Sequence, residues 1–456
     1  MTSPASVASW ARSRAATDVY CGGMTSLPEL EAVEIAQKLI RLDTSNFGDG
    51  SGPGEREAAE YVAGALSEVG WEPMIVESEP RRATVLLRIP GREPQRGALV
   101  LHGHSDVVPA NAPDWTVDPF GGVIRDGMLW GRGAVDMKQM VGMILAVARD
   151  MKRSGWAPRR DIALAVFADE EAGGRKGSHW VVDNHPGFFE GATDAVSEVG
   201  GYSVTLDGRR VYLVQTAEKG LHWLRLVAHG TAGHGSLANE DNAVTRLAGA
   251  VHRIGTHAWP LHLTHTMRRL LDGVADLTGL SYDAEDEESV LRLVDALGPS
   301  GAFVRATVRT GASPTQLDAG YKANVVPGAA TAAVDMRTIP GTEEDALAVL
   351  KRLAGPGVDL EDINRDIGLE VPFEGEFVDA MVESVLAEDP DATVLPYMLS
   401  AGTDNKALSR LGIRGYGFTP LRLPDGFDFA AMFHGVDERI PVDSVHFGVR
   451  VLTHLL

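Results

Sequence analysis

Two short runs in this chain are apolar at every position, residues 98–101 and 162–167. A strand sends successive side chains to opposite faces, so a run with no polar side has to be covered on both. That requirement predicts a sheet buried between helices. Helical spacing over 30–42, 55–69 and 137–154, the last closing at Gly155, supplies covering elements. With strand-like runs at 84–89 and 195–197, the order of elements predicts a doubly wound, mostly parallel α/β sheet.

A chain of 456 residues exceeds what one growing core accommodates. The character changes near Gly220: residues 221–228 alternate like a half-exposed strand, 243–254 reads as a helix, 331–337 as a strand and 343–353 as a helix. Residues 259–314 read as long and irregular. Helical patterns return at 378–388, 404–411 and 444–455. These shifts predict a discontinuous main domain, 26–217 and 371–456, carrying an inserted α+β domain over 218–370. Residues 1–25 hold Arg12 and Arg14 but no apolar stretch of a secretory signal. They read as a disordered leader with Met24 as a candidate start, and a cytoplasmic location is expected. No apolar run is long enough to span a bilayer. A formal net charge of −21 disfavours nucleic acid and anionic membrane as partners, since both would repel it.

Cys21 is the only cysteine, which excludes an intrachain disulfide and a thiolate metal cluster. Any metal must then sit on His, Asp and Glu. Such residues follow several strands. In Leu101-His102-Gly103-His104-Ser105-Asp106, His104 and Asp106 are two apart, so in an extended segment they face one side. That suits a His ligand whose free ring N–H is held by Asp106, or a polar turn with a surface histidine. Asp136, in the glycine-rich turn Gly131–Lys138, is placed either to cap the following helix or to bind a metal. Asp169-Glu170-Glu171 directly follows the apolar run 162–167. Three acids against a buried strand repel one another unless cations compensate, and adjacent Glu170 and Glu171 permit one to bind metal while the other moves protons. Glu198 ends another short apolar run, and His434 precedes the last helix.

As a set, these residues suit a pair of Zn²⁺ ions bridged by one carboxylate and a hydroxide. A serine hydrolase is disfavoured because no serine carries the flanking glycines of a nucleophile elbow. The remaining alternative is an inactive metal- or peptide-binding protein on the same fold. His102, His185, His222 and His265 read as packed or solvated.

From about Leu30 to the end, the motifs resemble the co-catalytic dinuclear zinc peptidase and deacylase family, which includes acetylornithine deacetylase, aminoacylase and the carboxypeptidase G and S types. The resemblance implies a zinc-exopeptidase-type main domain and a lid. It implies two Zn²⁺ per chain (Co²⁺ or Mn²⁺ as substitutes), with His104 and Glu198 each on one side, Asp136 bridging, and Glu171 and His434 completing the shells in an order left open. It further implies Asp106 as the orienting residue, Glu170 as general base, and a cis peptide after Asp136. Within the lid, Gly233-His234-Gly235 matches a segment whose His234 polarises the substrate carbonyl, supplied by the partner subunit in dimeric members, so a homodimer through the lid is expected. Asn324 and Arg337 match substrate-gripping residues; Arg337 suits a free carboxylate. Ser400–Asp404 resembles a substrate loop containing Gly402, with Asp404 read as a helix cap. The implied substrate is an N-acyl amino acid or small peptide with a free carboxylate, cleaved at the adjacent amide.

Overall fold

The computed structural model describes residues 25–456. The expected leader, with Cys21 and Met24, lies outside them except for Thr25. Among the described residues no helix is long and apolar enough to cross a membrane.

The two apolar runs become adjacent parallel strands, Ala98–His104 and Ile162–Phe167, at the centre of a mixed sheet. Ala192–Ser197 and Arg414–Gly417 extend the parallel part on one side. Antiparallel strands close both edges: Ala83–Ile89 and Met74–Glu77 on one, Arg209–Glu218 with its neighbours on the other. Coverage of both faces is visible residue by residue. Leu99, Leu101, Ile162, Leu164 and Val166 enter one core, which also holds helices Leu27–Ile40, Lys138–Ser154 and Val442–Leu455. Val100, Ala163, Ala165 and Phe167 enter a second, beneath helices Ser178–Asn184 and Asn405–Ser409. Burial of about 25 cal/mol per Å² of apolar surface makes this two-sided packing the main source of stability.

Helix Lys138–Ser154 runs beneath the sheet and is buried over most of its length. Gly142 lets it approach helix Leu27–Ile40: a Cβ there would sit 2.5 Å from the Ala32 carbonyl oxygen and 3.2 Å from the Ala36 Cβ.

The inserted region holds a separate antiparallel sheet, in the order Gly311–Ala319, Ala329–Thr338, Gly220–His229, Val358–Asp366. Its strands alternate in burial, and Leu224, Leu226, Val334 and Met336 pack under helices Ala243–Gly255 and Glu343–Ala354. One expectation is corrected. Residues 259–314 are not irregular: they form helices His265–Thr278, Glu287–Asp295 and Gly301–Arg305. Thr264 and Asp286 cap the first two with their side chains. Met267, Leu270, Leu271, Val274, Val290 and Leu293 pack into the main core rather than that of the smaller sheet. The 218–370 insertion is therefore not one body, because this helical segment folds back onto the main domain, against strand Thr393–Leu399.

Replacing Gly142 with Val should cost about 2–3 kcal/mol of stability, since the new side chain meets a backbone carbonyl rather than a movable side chain. Urea denaturation measures it, and an unshifted midpoint would mean that the two helices part freely.

Candidate metal centre

Parallel strands release their C-terminal loops at one edge, and three loops deliver the chemistry there. His104 is the last residue of its strand, Glu170 and Glu171 lie in the 3-10 turn after Phe167, and Glu198 follows Ser197. Asp169 adopts φ 65° to turn the chain after the buried strand. Asp136 enters from the glycine-rich turn and His434 from the loop before Arg439–Pro441.

These six side chains converge. His104 Nε2 lies 3.1 Å from Asp136 Oδ1, 3.4 Å from Glu198 Oε2 and 3.9 Å from Glu170 Oε2. His434 Nε2 lies 3.3 Å from Asp136 Oδ2 and 3.1 Å from Glu171 Oε2. His104 is buried while the His434 side chain is 53% exposed, so the cluster opens on the His434 side. Two groups, His104–Asp136–Glu171 and His104–Glu170–Glu198, bring ligand atoms close enough to share an ion.

Electrostatics show what the cluster lacks. Burial pushes the Glu170 and Glu198 carboxyls well above the ordinary range, with Glu198 acting on Glu170 and Asp136 acting on Glu198. Glu171 is raised by burial and by Asp136. Hydrogen bonds to Asp136 and Glu171 lift His434 to about 10, and His104 is raised against its own burial by Glu198, Asp106 and Asp136. Four acids around two imidazoles carry a surplus of negative charge that divalent cations would offset. The donor set, nitrogen and carboxylate oxygen without thiolate, fits Zn²⁺.

Asp106 faces His104 and also supports the neighbouring turn. Its carboxylate is 3.6 Å from His104 Nδ1, and its backbone oxygen is 3.0 Å away. The carboxylate further accepts the backbone N–H groups of Glu170 and Glu171, both at 3.1 Å, and the Asn46 amide at 2.9 Å. Asp136 does not cap the helix that follows; Met137 holds the N-cap position, and the Asp136–Met137 peptide is cis, as the resemblance implies. Asp404 holds the N-cap position of helix Asn405–Ser409, but its side chain does not cap it. That carboxyl is buried, bonds Ser178 and is raised by its burial to about 7.

Four expected residues stand outside the cluster. His234 is exposed in the two-residue strand Gly233–His234, bonded through Nδ1 to Ser236 Oγ at 2.7 Å. Asn324 is its exposed neighbour, accepting the Gly235 N–H at 2.9 Å. Arg337, on the smaller sheet, pairs with Asp335 at 2.7 Å and lines a cavity of about 610 Å³ with Ser400 and Ala401. Gly402, next in that loop, is half-buried. His102 is packed, as expected, against Asn405 Oδ1 at 2.9 Å.

Sequence reasoning missed the supports. Glu438 is fully buried and accepts N–H groups from Gly133, Val135 and Asp136 at 2.6–3.1 Å, plus Arg132 Nη1 at 2.7 Å. Arg132 also donates to the His434 carbonyl at 3.3 Å. One ion pair thus ties the turn bearing Asp136 to the loop bearing His434. Asn46 joins Asp106 to Asp169, and Arg82, paired with buried Glu55, donates to Asn46 Oδ1 at 3.0 Å. The only signal in the sequence was an acid four residues after His434 and an Arg four before Asp136.

Mixed α/β architecture, a companion antiparallel sheet and this His–carboxylate cluster at the strand ends together define a hydrolase of the metallopeptidase class. The chain belongs to peptidase family M20/M25/M40, whose model matches residues 100–456. It is a hydrolase acting on peptide or other linear amide bonds. Among similar proteins are the N-fatty-acyl-amino acid synthase/hydrolase PM20D1 of Xenopus tropicalis, 27% identical over 100% of this chain and 90% of that protein, and Aminoacylase-1 of Homo sapiens, 26% identical over 88% and 89%. The fold matches the M20 family metallo-carboxypeptidase Sso-CP2 from Sulfolobus solfataricus, with a TM-score of 0.72 at 17% identity over 93% of this chain and 98% of that one. Human carnosine dipeptidase 1 matches with a TM-score of 0.68 at 14% identity, over 94% and 96%.

Glu438→Gln should destabilise the protein by about 3–5 kcal/mol, because it leaves Arg132 buried without its charge partner and turns an N–H donor toward backbone donors. Chemical denaturation checks this, and a loss below about 1 kcal/mol would show that Arg132 finds other acceptors.

Proposed function

We propose that the chain is a dinuclear zinc hydrolase that cleaves the amide next to a free carboxylate in N-acyl amino acids or small peptides. The observation that carries this reading is the position of Asp136, whose two oxygens each face a different imidazole, at 3.1 and 3.3 Å. One ion would take His104, Glu198 and Asp136 Oδ1; the other would take His434, Glu171 and Asp136 Oδ2. Co²⁺ or Mn²⁺ suits the same donors. When bound, the pair lowers the pKa of a shared water and polarises the substrate carbonyl.

The side chains do the rest. Glu170 lies at the edge of the cluster, buried and raised in pKa, so it can accept the proton of the attacking water and return it to the leaving amine. Asp106 holds Glu170 and Glu171 through their backbone N–H groups, setting the base against the ligands. Arg337 offers a planar fork to the carboxylate of the amine half. The names of the relatives, a fatty-acyl-amino acid hydrolase and an aminoacylase, support the N-acyl amino acid class.

His234 belongs to the reading through a second subunit. It stands exposed and apart from the cluster of its own chain, and the exposed Leu237 and Tyr321 offer apolar surface on the same domain. A homodimer through the lid would carry His234 and Asn324 to the partner's site.

Glu170→Gln should cut kcat by about 10²–10⁴-fold while elemental analysis still finds two zinc ions per chain, and near-normal turnover would remove Glu170 as the base. Separately, unfolding and refolding together two inactive variants, Glu170→Gln and His234→Ala, should restore activity if His234 acts across the dimer. A mixture as inactive as its components would place His234 outside the reaction or within its own chain.

A further inference from the structure

Behind the loop Ser400–Asp404 lies a positive charge to which nothing above gives a role. Lys406, in the short helix Asn405–Ser409, is 3% exposed, and its Nζ donates to the Lys219 carbonyl at 2.7 Å. An ammonium carries three donors, so two are left over, and among the described residues no carboxylate stands within ion-pair distance of it. Burial lowers its pKa, and the charges acting on it come from four elements: Glu218 on the main sheet, Asp366 and Arg337 on the smaller sheet, and Glu170 in the metal-centre turn.

Two further observations say where this charge is presented. A Cβ on Gly402 would lie 2.7 Å from Lys406 Nζ, so the bare glycine leaves the ammonium directly beneath the loop, and a side chain there would push it aside. The residues just before it, Ser400 and Ala401, line the cavity that also holds Arg337. Lys219, whose carbonyl accepts from Lys406, lines it as well, so Arg337 stands on the cavity wall and Lys406 directly behind it, and the two charges repel each other. An anion placed between them would turn that repulsion into two attractions.

We propose that Lys406 is a specificity-determining residue: set directly behind Gly402, its charge acts with Arg337 of the lid on the free carboxylate of the substrate's amine half. The inference rests on the amide-hydrolase reading of the site and adds the second cation that makes the carboxylate obligatory. It also ties lid position to substrate charge, because Lys406 sits on a helix of the main domain and Arg337 on the smaller sheet.

The test compares N-acetyl-L-methionine with N-acetyl-L-methioninamide on the zinc-loaded full chain, following amine release. Wild type should prefer the acid, and Lys406→Met should reduce the preference by about 10- to 100-fold, the range of a charge-assisted hydrogen bond. The loss should fall on KM for the acid, with the amide little changed. Lys406→Arg, which keeps the charge, should retain the preference. Gly402→Ala, which pushes the ammonium aside, should weaken it, and it serves if the buried Lys406→Met change prevents folding. Equal losses on both substrates would make Lys406 a brace for the Lys219 carbonyl and overturn the proposal. So would an unchanged preference, or a wild type that does not discriminate. If the wild type cleaves no amide at all, the reading of the site fails instead. Calorimetric binding of L-methionine against L-methioninamide then decides the Lys406 role: the preference for the acid must appear and must vanish in the variant.

Discussion

Four carboxylates, Asp136, Glu170, Glu171 and Glu198, are held within reach of two imidazoles in a largely buried hollow that opens on the His434 side. Charges of one sign in such surroundings are costly, and the shifts at His434, Glu170 and Glu198 record that cost. Everything around the hollow serves to hold the acids together against their repulsion. The parallel centre of the sheet brings three strand ends to one edge, and the Asp136 turn and His434 loop close over it.

The holding is done by groups that carry no ligand atoms themselves. The Asp106 carboxylate accepts the backbone N–H groups of the Glu170–Glu171 turn while facing His104, and Asn46 ties Asp106 to Asp169. On the far side, Glu438 gathers three N–H groups of the turn that presents Asp136, while Arg132 reaches the His434 carbonyl. Such supports fix the positions of the clustered side chains, as outer groups do around a metal site.

The smaller sheet adds charge of the opposite sign. In a chain with a net charge of −21, Arg337, Lys219 and Lys406 gather where the two sheets meet, with Asp335, Asp366 and Glu218 as partial counterweights. An acidic hollow that attracts cations therefore sits near a cationic corner that attracts anions. That polarity suits a substrate whose amide and carboxylate are a few bonds apart.

Much of this was legible in sequence. The all-apolar runs dictated a sheet covered on both faces, and the helices at 138–154, 243–255 and 343–354 follow their spacing closely. His104, Asp136, Glu170, Glu171, Glu198 and His434 stood out because polar residues directly after buried strands or in glycine-rich turns are local signals. The helices over 265–305 went unread although His265–Thr278 is no shorter than Ala243–Gly255, and their place on the main domain follows only from packing against strand Thr393–Leu399, distant in the chain. The roles of Glu438, Asn46 and Lys406 were hidden for the same reason: a buried charge is defined by its partners, and theirs lie up to about three hundred positions away in the chain. Local pattern determined the sheet, the covering helices and the inventory of clustered His, Asp and Glu residues. Tertiary structure alone decided which imidazole faces which carboxylate, which acids enter the cluster and which support it, and where the lid's cations meet the main domain, since each depends on distances that only long-range packing sets.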